Sequence, residues 1–85
     1  MINEEEKLVE LYKKCIDFNV EESFTYLENI NVEELTVSEI VHIWNAISPK
    51  KKDITNWDNF VEISKNRMIK EVGEEMTENL MGVIL

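Results

Sequence analysis

Residues that form tight turns are scarce in this sequence. It contains two glycines and one proline among 85 residues, and neither Asn-Gly nor Asp-Gly occurs. A fold built from β-hairpins depends on such turn residues, so their scarcity argues against it. We therefore predict an all-α protein, a compact bundle of four or five short helices.

Cysteine and histidine occur once each. Cys15 alone cannot form an internal disulfide bond, which favours a reducing, cytoplasmic location. We expect a buried structural thiol, because the acidic segment around Cys15 does not offer the surroundings that activate a thiolate. His42 follows Glu39 by three residues, as in half of a di-iron bundle motif, but a complete site needs a second histidine. We predict no metal and no other cofactor.

Motifs of common enzymes are also missing. The sequence has no Gly-x-Ser-x-Gly turn, no glycine-rich phosphate loop and no Asp-x-Asp-x-Asp-Gly calcium loop. Glutamates spaced by one helical turn, such as Glu71 and Glu75, are typical of a solvated helix face. We therefore predict no catalytic residues and a protein that is not an enzyme.

Long apolar runs are absent as well. The longest is Val83-Ile84-Leu85 at the end of the chain, whereas a membrane-spanning helix needs about 20 apolar residues. The first residues do not resemble a signal peptide. We expect one soluble domain over residues 1–85 that has no membrane partner.

Positive charge is scarce relative to negative charge. The sequence has 9 Lys plus Arg against 18 Asp plus Glu, a net charge of −9, and residues 1–48 hold 11 of the acidic and 3 of the basic residues. This balance disfavours direct binding to nucleic acid, which requires Lys and Arg at the phosphates. It favours a protein partner with a basic surface, although excess acid also serves solubility.

Three segments carry the pattern of a helix N-terminus. Asn3 precedes a run of three glutamates, Asn19 precedes Glu22 by three residues, and Thr36 precedes Glu39 by three residues as in a capping box. Together with apolar residues at spacings of three and four, these signals predict helices near residues 4–18, 20–29, 37–47, 56–72 and 74–83.

The helix ends follow from the two residue types that interrupt helices. Pro49 is expected to end the third helix, and Lys50–Lys52 to form an exposed loop after it. Asp53 or Thr55 is expected to cap the next helix, with a break or kink near Gly73.

Apolar residues on the inner faces of these helices predict the core. Val72 is expected to be the last inward-facing residue of the helix over residues 56–72. The core residues that we predict are Leu11, Tyr12, Phe24, Leu27, Ile40, Trp44, Phe60 and Met68.

The leading functional hypothesis uses the acidic residues of the first half. It describes a small inhibitor or immunity-type protein that masks a basic surface of another protein, such as a surface that binds nucleic acid. The residues predicted to contact this partner are Glu10, Asp17, Glu21, Glu22, Glu28, Glu33 and Glu34.

Two alternatives remain open. An assembly subunit or chaperone-like adaptor, in one version a homodimer, would use the apolar C-terminal residues Met76, Leu80, Ile84 and Leu85.

The other alternative is a transcriptional regulator. The segment Leu35–Ile40, followed by a turn and another helix, resembles the entry to a helix-turn-helix DNA-binding unit. This resemblance implies phosphate contacts from the basic residues Lys50, Lys51, Lys52, Arg67 and Lys70.

Overall fold

The computed structural model describes residues 3–84, and the side chains of residues 3–82. This part of the chain folds into four α-helices and two 3-10 helices and contains no β-strand. The α-helices are α1 (Glu4–Ile16), α2 (Val20–Asn29), α3 (Val37–Ile47) and α4 (Trp57–Ile84). The 3-10 helices are Val32–Glu34 and Ser48–Asp53. The predicted all-α bundle is confirmed.

The N-termini of α1 and α2 are capped by asparagine. The Glu6 backbone N–H donates to Asn3 Oδ1 at 2.8 Å. At α2 the bonds are reciprocal, because the Glu22 N–H donates to Asn19 Oδ1 at 2.8 Å and the Asn19 N–H donates to Glu22 Oε1 at 3.0 Å. Each bond satisfies an amide that has no partner within its helix, which explains where these helices begin.

The N-terminus of α3 has the predicted capping box. The Glu39 N–H donates to Thr36 Oγ1 at 3.1 Å, and the Thr36 N–H donates to Glu39 Oε1 at 2.9 Å. The helix lies at the centre of the protein, where Ile40, Ile43 and Trp44 have no exposed surface. The central position follows from the broad apolar face of the helix.

The segment between α3 and α4 corrects two predictions. Pro49 follows the end of α3 as expected, but residues 48–53 form a 3-10 helix rather than a loop. Pro49 fits its first turn, where the missing N–H removes no intrahelical bond. The predicted cap by Asp53 or Thr55 is wrong, because the first backbone bond of α4 joins the Phe60 N–H to the Asn56 carbonyl oxygen at 3.1 Å.

The core lies where α3 packs between α1 and α4, and α2 with the first 3-10 helix packs against α4. Its centre is a set of three aromatic rings. The Trp44 centroid is 5.6 Å from that of Trp57 and 6.0 Å from that of Phe60, and Trp57 and Phe60 are 5.6 Å apart. Such tilted and edge-on pairs add to the stabilisation that burial alone provides.

Most of the predicted core residues are buried. Those buried as predicted are Leu27, Ile40, Trp44, Phe60 and Met68. Leu11, Tyr12 and Phe24 are only partly buried. The buried residues that the prediction omitted include Val32 and Ile54, which lie in or beside the 3-10 helices and therefore have no helical apolar period to mark them.

Gly73 divides α4 into two parts, residues 57–72 and 74–84. Its φ of 85° and ψ of 167° are not helical, and the predicted kink is confirmed. The chain turns back there, so that Thr77 is buried and Leu80 and Met81 pack against the core. Val72 was predicted to face inward and is 39% exposed, because it lies immediately before the turn and the bend directs the core contacts to residues beyond it.

Candidate functional site

All seven acidic residues of the predicted contact surface are exposed. They do not line a single groove. Glu10 lies on α1, which packs against α3, whereas Glu28 and Glu33 lie beside the contact between α2 and α4. Glu21 and Glu22 belong to a third region at the start of α2. The structure thus presents three separate candidates for a binding surface.

The cleft between α1 and α3 carries charges of both signs. Its lining residues are Glu4, Lys7, Leu8, Glu10, Leu11, Lys14, Thr36 and Glu39. Lys7 offsets part of the negative potential, and one oxygen of Glu39 is already held by the Thr36 N–H. This cleft is the least suited of the three to a cationic surface.

The second region combines exposed carboxylates with aromatic rings. We call it the acidic-aromatic patch, and it consists of Phe18, Glu21, Glu22, Thr25 and Tyr26. The rings of Phe18 and Tyr26 are half-buried, with centroids 5.1 Å apart and planes inclined by 47°. Glu21 and Glu22 are exposed beside them. Aromatic residues next to charges are typical of the central residues of protein interfaces.

Tyr26 connects the acidic-aromatic patch to the interior. Burial, and secondarily its contact with the Cys15 thiol, raises the pKa of Tyr26 to about 12. Burial also raises the pKa of Cys15, although its hydrogen bond with Tyr26 and the charge of Lys14 act in the opposite direction. Cys15 has no exposed surface, as predicted. Lys14 Nζ lies 5.4 Å from the Tyr26 ring centroid, within cation-π range.

Lys50 holds the other aromatic residue of the patch in place. Its Nζ donates to the Ile16 carbonyl oxygen at 3.0 Å and also to the Phe18 carbonyl oxygen. These carbonyl groups lie at the end of α1 and in the turn after it, where a cation is favoured by the helix dipole. Lys50 therefore ties the turn that carries Phe18 to the 3-10 helix Ser48–Asp53.

The aromatic pair was not predicted from the sequence. Phe18 was assigned to the last turn of α1, whereas α1 ends at Ile16 and Phe18 lies in the turn before α2. Only this early end allows Phe18 to contact Tyr26 across the turn. The signal available in the sequence was that both aromatic residues lie close to Glu21 and Glu22.

The third region is a groove between α2 and α4, which we call the α2–α4 groove. It has a volume of about 400 Å³. Leu27, Val32 and Phe60 are its buried apolar residues, and Ile63 is 41% exposed. The other residues that line it are Glu28, Ile30, Asn31, Glu33, Asn56 and Asn59.

Asn56 contributes an unusual polar group to this groove. Its Nδ2 donates to the Phe24 carbonyl oxygen at 3.1 Å. Its Oδ1 is buried and has no hydrogen-bond partner among the described residues. A buried acceptor without a donor is costly, since it has lost its hydration without replacement.

His42 and Glu39 each form a hydrogen bond with a residue three or four positions away in sequence. The His42 ring Nδ1 lies 2.6 Å from the Ser38 carbonyl oxygen, and Glu39 belongs to the capping box of α3. Among the described residues no group of three His, Cys, Asp or Glu side chains is arranged to hold a metal ion.

The residues of the apolar C-terminal alternative are in different environments. Met76 is 50% exposed, whereas Leu80 packs against the core of its own chain. The side chain of Ile84 and the whole of Leu85 lie outside the described residues.

Three of the five basic residues named for the helix-turn-helix alternative bind other groups of the protein. Lys50 binds two carbonyl groups at the end of α1 and in the turn after it, Arg67 Nη1 lies 3.1 Å from Glu71 Oε2, and Lys70 Nζ lies 3.5 Å from Glu33 Oε1. In addition, residues 48–56 separate α3 from α4. That connection is longer than the turn of three or four residues in a helix-turn-helix unit.

Comparison with protein-family models, with curated proteins and with solved structures finds no match to this chain. Within the described residues, no helix combines the length and the apolar character that crossing a membrane requires. The fold therefore defines the class, a small all-α bundle, and its surface is the basis for a functional proposal.

Proposed function

We propose that this protein is a non-enzymatic, cytoplasmic binding protein that masks a basic surface of another protein through its acidic-aromatic patch. The observation that carries the proposal is the pairing of exposed Glu21 and Glu22 with the half-buried rings of Phe18 and Tyr26. The target surface would be one that binds nucleic acid or another anion. In this role the protein acts as an inhibitor of the immunity type.

The two parts of the patch would contribute differently to binding. An exposed ion pair stabilises a complex by about 0–1 kcal/mol. Fully burying an exposed phenylalanine contributes about 1.5–3 kcal/mol, and each of these half-buried rings has part of that left to contribute. The carboxylates would mainly speed encounter and orient the partner, and the two rings together would add affinity where the partner docks.

Fixed rings strengthen this argument. The ring of Tyr26 packs against that of Phe18, and the backbone of Phe18 is held by Lys50. Side chains that are ordered before binding lose less conformational entropy in the complex. The patch is thus suited to bind without rearrangement.

The test begins with capture of partners from a host lysate and purification of the protein that is captured. Its affinity is then measured by calorimetry at about 50 mM and about 300 mM salt, where screening differs strongly. We expect the double variant Glu21→Gln and Glu22→Gln to bind about tenfold more weakly at low salt and to lose most of the salt dependence. Glutamine at position 22 preserves the capping box.

The matched control is the double variant Glu74→Gln and Glu75→Gln on α4. It removes the same net charge from two exposed residues outside the patch. Equal weakening by both double variants would contradict the proposal, because it would show that net charge alone determines binding.

A homodimer is the second candidate function. It is favoured by the exposed apolar residues Val72 and Met76 on either side of Gly73. Light scattering of the pure protein distinguishes the two candidates, since a dimer formed by apolar contacts would persist at high salt at a fixed protein concentration.

A further inference from the structure

The α2–α4 groove has an apolar floor with one exposed apolar residue at its edge. Leu27, Val32 and Phe60 are 7%, 5% and 2% exposed, while Ile63 is 41% exposed. An apolar side chain placed over this floor would cover Ile63 and remove its surface from water. The volume of about 400 Å³ is enough for one or two side chains of another protein.

The charged side chains that line the groove are both carboxylates, those of Glu28 and Glu33. Glu28 and Glu33 are exposed, and Asn56 Oδ1 is buried without a partner among the described residues. Among the described residues, the one cation that binds these carboxylates is Lys70, whose Nζ is 3.5 Å from Glu33 and whose side chain is 67% exposed. Such an exposed pair is weak, so an arginine or lysine of a partner can replace Lys70 at little cost. The charge of the groove therefore complements a basic segment.

The groove also adjoins the acidic-aromatic patch along α2. Glu21, Thr25 and Glu28 lie at spacings of four and three residues, on one stripe of the helix. The rise of 1.5 Å per residue places Glu28 about 10 Å along the helix from Glu21. A single protein surface docked along α2 would reach both regions.

We infer that the α2–α4 groove is a second contact surface for the same basic partner and that it receives an apolar side chain flanked by arginine or lysine. The apolar side chain would pack against Ile63 and Phe60, and the flanking cation would bind Glu28 and Glu33. The inference rests on the proposed function, since it names the kind of partner segment that extends the acidic-aromatic contact.

The test uses the peptide acetyl-Arg-Leu-Arg-amide and the ¹⁵N-labelled full chain. We expect titration to shift the amide resonances of residues 27–33 and 56–63. The same peptide with serine in place of leucine, or with glutamine in place of both arginines, should bind at least about fivefold more weakly. Leucine is required because the floor of the groove is apolar, and arginine is required because Glu28 and Glu33 are carboxylates.

Variants of the protein separate the groove from general charge attraction. Ile63→Ser should weaken peptide binding by about tenfold, whereas Val9→Ser should leave it unchanged, because Val9 is 46% exposed on α1 and outside the groove. Glu28→Gln with Glu33→Gln should also weaken binding, with Glu74→Gln and Glu75→Gln as the charge control. The ¹⁵N spectrum of each free variant checks that it remains folded.

The results of these experiments distinguish the proposal for the α2–α4 groove from the proposal for the acidic-aromatic patch. Absent shifts, shifts confined to residues 18–26, or shifts that do not require leucine would overturn the groove and leave the patch untouched. If instead Ile63→Ser weakens binding of the captured partner and the Glu21 and Glu22 substitutions leave that binding unchanged, the groove is supported and the proposed role of the patch fails.

Discussion

At the scale of single residues, Lys50 shows how a basic side chain can serve structure in an acidic protein. Its Nζ reaches the carbonyl oxygens of Ile16 and Phe18, which are 34 and 32 residues away in sequence. Neighbouring Lys51 and Lys52 are exposed. The three lysines therefore differ in their surroundings, because the fold brings two carbonyl oxygens to Lys50 and leaves Lys51 and Lys52 exposed.

This difference predicts unequal effects of the same substitution. Lys50→Gln should lower the free energy of unfolding by about 1–2 kcal/mol, because two carbonyl groups lose a charged donor. Lys51→Gln removes the same charge and should change stability by less than about 0.5 kcal/mol. Urea unfolding of both variants measures the difference. Hydrogen exchange should also be faster near Phe18 in the first variant alone.

The raised pKa of Tyr26 predicts how the stability of the protein depends on pH. Its pKa is raised from 10.0 to about 12, so the folded protein keeps this hydroxyl protonated when the unfolded chain has begun to lose the proton. The unfolded state then binds fewer protons, and the Tyr26 contribution to stability is lost as pH rises from 10.0 to about 12.

The measurement for Tyr26 is a series of urea unfolding curves in that pH range, compared with Tyr26→Phe. The wild type should lose stability more steeply than the variant, which lacks the titrating hydroxyl of Tyr26. Parallel curves would show that the Tyr26 hydroxyl does not titrate differently in the folded and unfolded states.

At the scale of elements, the turn at Gly73 decides what the end of the chain contributes. Its φ of 85° and ψ of 167° belong to a region that essentially only glycine adopts. The Thr77 hydroxyl donates to the Gly73 carbonyl oxygen at 2.7 Å within the same turn. Residues beyond the turn can then cover the core instead of extending α4 into solvent.

Gly73→Ala should therefore destabilise the protein by about 1–3 kcal/mol. The cause is backbone strain rather than steric contact, because a Cβ at this position has no heavy atom within 4 Å. Gly82→Ala is the matched control, since that glycine is also open and lies within a helix where alanine is favoured. Thermal unfolding should show a lower midpoint for Gly73→Ala only. A similar midpoint in both variants would mean that the turn is not strained.

At the scale of the whole molecule, the effect of the net charge of −9 on partner binding depends on where the charged side chains lie. Lys7 and Lys14 lie among the acidic side chains around the α1–α3 cleft, and Lys14 also reaches the Tyr26 ring, whereas Glu21 and Glu22 flank the paired rings of Phe18 and Tyr26. Long-range attraction of a basic partner depends on the total charge, but the position of docking depends on where apolar surface accompanies the carboxylates. This reasoning selects α2, whose stripe joins the acidic-aromatic patch to the α2–α4 groove.

The sequence by itself determined the features that depend on neighbours within one helical turn. Asn3, Asn19 and Thr36 cap helices because their partners lie three residues away, and the scarcity of turn residues excluded a hairpin fold. Gly73 marked the kink for the same local reason, since glycine alone tolerates that backbone conformation.

Only the tertiary structure decided the features that depend on residues far apart in sequence. Lys50 meets Ile16 and Phe18, and Asn56 meets Phe24, through packing that no local pattern encodes. Val32 and Ile54 are buried without a helical period to mark them. The acidic residues could be listed from the sequence, but their division among three surfaces follows from α1 packing against α3 and α2 packing against α4. Helix periodicity determines which face is apolar, while the choice of the helix that covers it depends on the packing of the entire chain.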